Sequence, residues 1–316
     1  MNFHLLSEAP PPELGAALEH FEKQFSYSLG RDTTFRISHG RSYVSFFTAM
    51  GDMTLIVAER DGQVLGTLAG IRRPLRKASG EFHIATYLCD LKVAPHNRSG
   101  RVLLGLARQL VSCWREAGGW GGYSVVMDGT ADTPNNYTGR CGIPQFEKVG
   151  QITVLRVAVP ESSHLPLLAK QTSLVEVERL LQRLTVGEHL PCGGIPTLRS
   201  IMPPVVLLDS NNQACGVVED TRLGKRLFTD SGEEMVSTHL SHFAYADAAS
   251  GARLLHDALT ITKQAGYSAM FTALPSSRAN ALISHLTKLT VKVATASIYA
   301  HGISGTENWH IDTSEI

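Results

Sequence analysis

One segment of this chain constrains its fold more than any other, because it joins a strand, a short turn and a helix without interruption. The β-rich run Phe82–Val93 ends just before Pro95, whose nitrogen has no hydrogen to donate to a continuing ladder. Residues Val102–Trp114 then carry apolar side chains at helical spacing, and Gly118 and Gly119 end the helix. Such a corner aims free N–H groups and the positive end of a helix dipole at one point, which predicts an anion site suited to a pyrophosphate.

The elements around this corner predict an α+β fold. Two β-rich runs, Thr54–Ala58 and Val64–Ile71, are separated by Asp61 and Gly62, a strong hairpin signal. After the helix, the apolar run Tyr123–Met127 is predicted as a short buried strand. The other predicted elements of this half are a strand, two helical stretches and a last strand, at Phe3–Ser7, Leu14–Phe25, Tyr43–Met50 and Gln151–Val159.

The same order of elements recurs in the second half, with little residue identity. The predicted elements are a helix, a hairpin, a long strand, a helix, a strand, a helix and a last strand, at Leu174–Leu184, Val205–Leu208 with Cys215–Glu219, Val236–Tyr245, Leu254–Ala265, Ala269–Leu274, Ser277–Leu289 and Val291–Tyr299. A length of 316 residues suits two domains. We therefore predict a tandem duplication, with domains at residues 1–160 and 161–316.

Composition excludes several classes of function. With 29 basic and 29 acidic residues, the chain has no net charge to support a large nucleic-acid footprint. The five cysteines are far apart and odd in number, which predicts reduced thiols and no zinc or other metal site. The sequence starts without a signal-peptide pattern and has no apolar stretch near the ~20 residues of a membrane span, so a soluble, cytoplasmic protein without membrane partners is expected.

The corner resembles the central motif of the GCN5-related N-acetyltransferase (GNAT) superfamily. That motif runs through a strand, Val-x-Pro, a few residues, and then Arg/Gln-x-x-Gly-x-Gly/Ala at the start of a helix. Val93 and Pro95 match the strand exit, Arg98 matches the first motif residue, and Gly100 lies inside the turn. The surrounding order of hairpin, motif strand, helix and next strand is also that of the family.

Two further stretches extend the resemblance, and two positions depart from it. Asn135–Tyr137 and Gly142–Phe146 resemble the family's Asn, Tyr and Gly-Phe step after the second central strand. Arg101 stands where the family favours Gly, and Leu103 stands where it favours Gly or Ala. A bulky side chain there restricts the approach of the backbone to phosphate, although Arg101 offers a charged contact in compensation.

The resemblance implies a GNAT-like α+β fold, with a mixed, mostly antiparallel central sheet flanked by helices. It also implies an acyl-CoA-dependent N-acyltransferase that moves an acetyl group from acetyl-CoA, or another acyl group from its CoA thioester, to a small-molecule or peptide amine. The second half lacks the phosphate turn, so it is expected to be a degenerate repeat. Two alternatives stay open, namely a non-catalytic acyl-CoA-binding or regulatory protein and an arrangement with the chemistry in the second half.

The resemblance implies two catalytic residues and a set of cofactor contacts. Asp90 on the motif strand is the expected base, with Leu88 and Lys92 predicted on its face by strict alternation; the alternative is that Asp90 pairs with a basic side chain. Tyr137 is the expected proton donor to the thiolate, or otherwise a half-buried aromatic residue. The expected cofactor contacts come from strand, turn and helix start, at Leu91, Lys92, Val93, Arg98, Ser99, Gly100, Arg101, Val102, Leu103 and Asn136.

Overall fold

The computed structural model of the protein describes residues 1–28, 34–97, 100–116, 118, 121–161 and 167–316. The strands are β1 Asn2–Leu6, β2 Tyr27–Ser28, β3 Thr34–Ser38, β4 Asp52–Arg60, β5 Gln63–Arg76, β6 Phe82–Val93, β7 Gly121–Met127, β8 Glu147–Ala158, β9 Lys170–Gln171, β10 Leu190–Pro191, β11 Val205–Leu208, β12 Ala214–Glu219, β13 Arg226–Thr229, β14 Thr238–Tyr245, β15 Ala269–Pro275 and β16 Val291–His301. The helices are α1 Pro12–Glu22, α2 Ser45–Thr48, α3 Arg101–Glu116, α4 Pro134–Tyr137, α5 Leu174–Leu184, α6 Ala248–Gln264 and α7 Ser276–Ile283.

Most strands belong to one 13-stranded sheet that runs through both halves of the chain. Its order is β1-β4-β5-β6-β7-β16-β8-β15-β14-β12-β11-β9, with β10 paired to β5. Neighbouring strands are antiparallel except for the pairs β6–β7 and β14–β15. A smaller sheet has the order β13-β3-β2. The predicted α+β class, with a mostly antiparallel sheet and flanking helices, is therefore confirmed.

The two halves exchange their last strands. β16, from the second half, lies between β7 and β8, while β8, from the first half, lies between β16 and β15. Each half otherwise repeats the order of hairpin, long strand, helix, parallel strand, short helix and last strand. The division near residue 160 stays a prediction, because the exchanged strands join the two halves in one sheet.

A β-bulge is repeated at matching places in the two halves. Asp90 in β6 and His242 in β14 both have a left-handed backbone, with φ of 54° and 53°. The register of β5 on β6 shifts between Thr67 and Ala69, and the register of β12 on β14 shifts at Gly216. A bulge places two residues opposite one and bends the strand. This shared irregularity supports the duplication more strongly than the element order alone.

Helices cover both faces of the first half. On one face, α1 and α2 bury Leu18 and Phe47 in the largest apolar cluster. On the other face, α3 packs Val102 and Leu106 against β4 and β5. Gly66 of β5 makes this approach possible, since a Cβ there would lie 2.9 Å from the Val102 Cγ1 and 3.1 Å from the Leu106 Cδ1. The amphipathic stripe of the sequence is thus the packing face of α3.

Local signals placed most elements correctly. Asp61 and Gly62 both have positive φ, 54° and 78°, as the type I′ hairpin turn requires. β5 extends beyond Ile71, where the predicted run ends, and continues to Arg76, which pairs with Phe82 of β6. The edge strand β1 and the helix α5 lie within two residues of their predicted positions.

Candidate functional site

A slot opens between the two parallel strands at the centre of the first half. Among the residues that the structure describes, β6 and β7 share three register pairs, Ala85–Gly121, Thr86–Gly122 and Tyr87–Tyr123. Beyond these pairs β6 runs on to Val93 along β5, and β7 runs on to Met127 along β16, with no pairing between β6 and β7. We call the space between residues 88–93 and 124–127 the first slot. Its two backbone edges suit an extended ligand with amide groups of its own, as in strand addition.

One end of the first slot is closed by aromatic rings. Tyr87 and Tyr123 stack with ring centroids 5.0 Å apart, and Trp309 lies on Tyr123 at 5.3 Å. All three side chains are buried, and the Tyr87 hydroxyl donates to the carbonyl oxygen of Glu315 at 3.2 Å. A ligand in the slot therefore has to enter from the opposite end.

The opposite end of the first slot lies beside the start of α3. Gly100 has a φ of 81°, and its carbonyl accepts the N–H of Leu104 at 2.9 Å, which begins the helix. Arg101 is exposed at the first helical position. The expected contacts Arg98 and Ser99 lie outside the described residues. A helix dipole and an arginine at one point attract anions, and the phosphate contact expected of Arg101 stays a prediction.

Two buried polar atoms on the slot side have no hydrogen-bond partner in the described chain. They are the Trp114 Nε1 on α3 and the Ser124 Oγ on β7. Trp114 packs with Phe146 and Tyr299, and Leu88 of β6 lies against this group. Buried polar groups in native proteins are usually satisfied by protein, water or ligand.

Asp90 belongs to a buried network on the α1 and α2 face. Its Oδ2 accepts from the Tyr43 hydroxyl at 2.7 Å and from the Thr67 hydroxyl at 3.1 Å, and its Oδ1 accepts from the Lys92 ammonium. Lys92 also donates to Glu22 Oε1 at 3.1 Å. The alternative in which Asp90 pairs with a basic side chain is therefore what the structure shows, and a role as base stays a proposal.

The charges of this network are held by mutual pairing. Burial alone would raise the pKa of Glu22, but His39 at 2.6 Å and Lys92 outweigh it and lower that pKa to about 2. Burial alone would lower the pKa of Lys92, but Asp90 outweighs it and raises that pKa well above its usual value. Burial raises the pKa of Tyr43, and the charge of Asp90 adds to the effect. At neutral pH the network holds an ionised Glu22, a protonated Lys92 and a neutral tyrosine donor.

The predicted alternation along β6 is wrong beyond Cys89. Leu88, Leu91 and Val93 pack on the α3 face, whereas Asp90 and Lys92 reach the α1 and α2 face. The bulge at Asp90 is the physical reason, because one extra residue reverses the faces of all later side chains. Leu88 consequently does not share a face with Asp90.

Tyr137 lies on the other face of the sheet from the Asp90 carboxylate. It is half-buried in α4, next to Asp132 and to Tyr299, whose ring packs with Trp114 of α3. Burial raises the pKa of Tyr137, so its hydroxyl keeps its proton at neutral pH.

The remaining expected contacts, Asn136, Val102 and Leu103, differ in exposure. Asn136 is exposed, and its carbonyl accepts from Arg140 at 2.6 Å. Val102 is buried in the α3 packing face, and Leu103 is half-buried beside it. Whether any of these residues touches a cofactor stays a prediction.

One group of side chains has the composition of a metal site. Glu22, His39 and Asp90 place their ligand atoms within 4.8 Å of one another, and no second such group exists in the described part of the chain. Lys92 contacts both carboxylates of this group. Its ammonium supplies the positive charge that a metal ion would bring, so the geometry favours an internal ion network.

Sequence reasoning missed Glu22, His39, Tyr43 and Thr67. One signal was available, since Glu22 follows Leu18 by four residues and therefore lies on the apolar stripe of α1. A carboxylate on a buried stripe predicts a buried cation nearby. The other three residues carry no comparable local signal.

The second half has a corresponding slot, and the chain fills it. β14 and β15 share only the pairs Thr238–Met270 and His239–Phe271 before they separate. Residues 312–315 lie in the space where the two strands separate, and they bind to β14 through three hydrogen bonds. The His242 N–H donates to Asp312 Oδ1 at 2.8 Å, Ser241 Oγ and Ser314 Oγ lie 2.8 Å apart, and His239 Nδ1 and Thr313 Oγ1 lie 3.0 Å apart. We call this space the second slot.

Three solved structures resemble the chain along most of its length. An N-myristoyltransferase of Saccharomyces cerevisiae with bound myristoyl-CoA superposes with a TM-score of 0.65 at 10% identity, covering 97% of this chain and 84% of that one. The same enzyme with myristoyl-CoA and inhibitors gives a TM-score of 0.65 at 9% identity, covering 99% of this chain and 84% of that one. A GCN5-related N-acetyltransferase from Anabaena variabilis ATCC 29413 gives 0.55 at 13%, covering 95% and 72%.

These likenesses define the fold. The chain has the fold shared by the N-myristoyltransferase and the GCN5-related N-acetyltransferase, as the strand–turn–helix motif predicted. No family model and no curated protein sequence matches it. In the described chain, no helix combines the length and the apolar character that crossing a membrane requires.

Proposed function

We propose that this protein is an acyl-CoA-dependent N-acyltransferase. The observation that carries the proposal is the first slot, an amide-edged opening between parallel strands that leads from the start of α3 to a bulge. The pantetheine arm of CoA has two amide groups and an extended shape. The pyrophosphate of CoA suits a helix N-terminus. A protein of the same fold has been solved with bound myristoyl-CoA, which supports a CoA thioester as the ligand.

The proposed reaction is direct attack of an amine on the thioester, with acetyl as the group transferred. The new C–N bond forms as the C–S bond breaks. Asp90 takes the proton that the amine loses, and Tyr137 gives its proton to the departing CoA thiolate. Backbone N–H groups of Leu91, Lys92 and Val93 hold the pantetheine and the thioester oxygen, where the bulge frees part of the ladder.

The other expected residues complete this proposal at the ends of the arm. Arg98, Ser99 and the start of α3 from Gly100 to Leu103 hold the phosphates, and Asn136 reaches the arm from α4. The acceptor is an amine, on a small molecule or a peptide. The second slot is filled by its own chain, so one CoA is expected per protein molecule.

Titration calorimetry with CoA tests the cofactor site. Wild-type protein is expected to bind one CoA, and Arg101→Glu is expected to weaken binding about tenfold or more, because a positive contact becomes repulsive. The matched control is Arg115→Glu, an exposed arginine in the last turn of the same helix. Equal effects of the two variants would contradict the proposed phosphate contact. Absence of CoA binding by the intact protein would overturn the function.

Release of free CoA thiol from acetyl-CoA, measured over a panel of amines, tests the chemistry. Asp90→Asn and Tyr137→Phe are each expected to slow turnover roughly 100-fold or more while CoA affinity stays within about twofold. Turnover at the wild-type rate in either variant would remove that residue from the mechanism.

A second candidate function is a non-catalytic acyl-CoA-binding or regulatory protein. One observation favours it, because the carboxylate of Asp90 already accepts from Tyr43, Thr67 and Lys92. This candidate requires CoA binding without thiol release for every amine tested. Turnover with any amine excludes it.

A further inference from the structure

The buried network around Asp90 has a place in the site that proton transfer does not explain. It lies on the α1 and α2 face, immediately beside the bulge where the proposed function puts the thioester. An acyl group that leaves the thioester toward this face meets charged side chains first. A role of this network toward the acyl group rests on the proposed function.

The network is dense as well as charged. Tyr43 is completely buried, Lys92 is 4% exposed and Glu22 is 2% exposed. The ring of His39 lies 5.0 Å from that of Tyr43 and 5.0 Å from that of Phe47, so aromatic residues of α2 close the network from behind. A long alkyl chain has no apolar path through this wall.

The closed end of the first slot also blocks an acyl chain. Its closed end is the buried stack of Tyr87, Tyr123 and Trp309, with centroids 5.0 and 5.3 Å apart. An acyl group is therefore confined to the corner between this stack and the Asp90–Tyr43 pair. An alkyl chain that pushed past Tyr43 would separate Lys92 from its carboxylates, and a buried charge without a partner is strongly unfavourable.

We propose that Tyr43, held by Asp90 and backed by Lys92 and Glu22, limits the donor to acyl groups of a few carbons. Tyr43 is thus a specificity-determining residue, and its ring and hydroxyl contribute differently. The ring fills the space that a longer chain would occupy. The hydroxyl donates to Asp90 Oδ2 at 2.7 Å and so joins the ring to the ion network without filling that space.

A chain-length series on the intact wild-type protein tests this limit. Binding of CoA, acetyl-CoA, butyryl-CoA, octanoyl-CoA and myristoyl-CoA is measured by calorimetry. CoA and acetyl-CoA are expected to bind within a few-fold of each other, and myristoyl-CoA at least about 100-fold more weakly. If CoA binds and myristoyl-CoA binds as tightly as acetyl-CoA, the length limit is overturned while the proposed function stands. If CoA itself does not bind, the proposed function is what fails.

Two substitutions assign the limit to Tyr43. Tyr43→Ala is expected to raise the affinity for octanoyl-CoA relative to acetyl-CoA at least about tenfold, because it empties the space of the ring. Tyr43→Phe is the control, since it keeps the ring and is expected to preserve the length preference within about threefold. An unchanged profile in a folded Tyr43→Ala protein would overturn the assignment. Should that variant fail to fold, Tyr43→Leu removes the ring with a smaller loss of volume, and the same outcomes decide.

Discussion

The two slots of this protein are built from the same elements, but they differ in what borders and fills them. In each half a bulged strand separates from a parallel neighbour after two or three register pairs. The first slot is bordered by backbone edges and leads to the start of α3. The second slot holds residues 312–315 of the same chain. A shared backbone geometry thus creates the space, and the segments around it decide what occupies the space.

The connections between the bulged strand and the following helix also differ between the two halves. Residues 94–100 connect β6 to α3, whereas only residues 246–247 connect β14 to α6. The carboxylate of Asp247 accepts the N–H of Ser250 at 2.9 Å and caps α6. A carboxylate at a helix start satisfies the N–H groups that an anion would otherwise bind. At the start of α6, a two-residue connection and a capping carboxylate thus stand where the first half has the longer turn before α3.

The largest effect on stability is expected from removing Glu315, which anchors residues 312–315 in the second slot. Glu315 accepts from Arg73 at 2.6 Å and from Arg199 at 3.2 Å, and all three side chains are buried. Burial alone would raise the pKa of Glu315, but the two arginines outweigh it and lower that pKa to about 2. Glu315→Ala leaves two buried cations short of a partner, so a loss of about 3–5 kcal/mol in unfolding free energy is expected from urea denaturation.

An exposed ion pair supplies the control for that measurement. The Arg226 Nη2 and the Glu234 Oε2 lie 2.6 Å apart, and the arginine side chain is half exposed. Glu234→Ala is expected to cost less than about 1 kcal/mol, as exposed pairs usually do. Similar losses in the two variants would show that the segment in the second slot is only loosely held.

A smaller effect is expected from a pair of buried lysines. Lys92 is paired with two carboxylates, whereas Lys225 donates to the carbonyl oxygen of Ile316 and lies 4.7 Å from the ring of Phe46. Burial, together with the charge of Arg199, lowers the pKa of Lys225 from 10.5 to about 7. Between these values the unfolded lysine holds a proton that the folded one lacks, so stability rises with pH across this window and is lowest below it.

Lys225→Met is expected to remove that dependence. The variant should be more stable than wild type below pH 7 by about 2–4 kcal/mol, and the difference should shrink toward pH 10. Urea denaturation at several pH values measures it. Lys92→Met should destabilise instead, since it leaves Glu22 and Asp90 without their shared cation. A gain of stability in both variants would mean that pairing does not distinguish the two lysines.

The smallest effect concerns the helices that open each half. The side chain of Ser173 accepts the N–H of Glu176 and caps α5, whereas Pro11 makes no side-chain cap at the start of α1. Ser173→Ala is expected to cost about 1 kcal/mol of unfolding free energy, and Ser173→Thr, which keeps the hydroxyl, about half of that or less. A loss that is the same for both substitutions would show that the cap hydrogen bond is not the cause.

Sequence patterns predicted the local structure of this chain and part of its site. Short-range patterns report features that depend on neighbouring residues. Three examples are the turn at Asp61 and Gly62, the strand ending near Pro95 and the amphipathic stripe of α3. The reversal of faces at Asp90 was not visible, because a bulge depends on the register of β5 as well as on β6. The ion cluster at Glu315 was not visible either, since its partners Arg73 and Arg199 are more than 100 residues away along the chain.

The strand exchange has a consequence for synthesis on the ribosome. β7 and β8 each need β16 as a neighbour, yet β16 is synthesised only after the strands and helices of both halves that precede it. Until then both strands present unpaired backbone edges and apolar side chains, the features that favour aggregation and recruit chaperones. The first half can acquire its helices and its hairpin early, but its sheet closes last. Completion of the fold is therefore tied to completion of the polypeptide through β16.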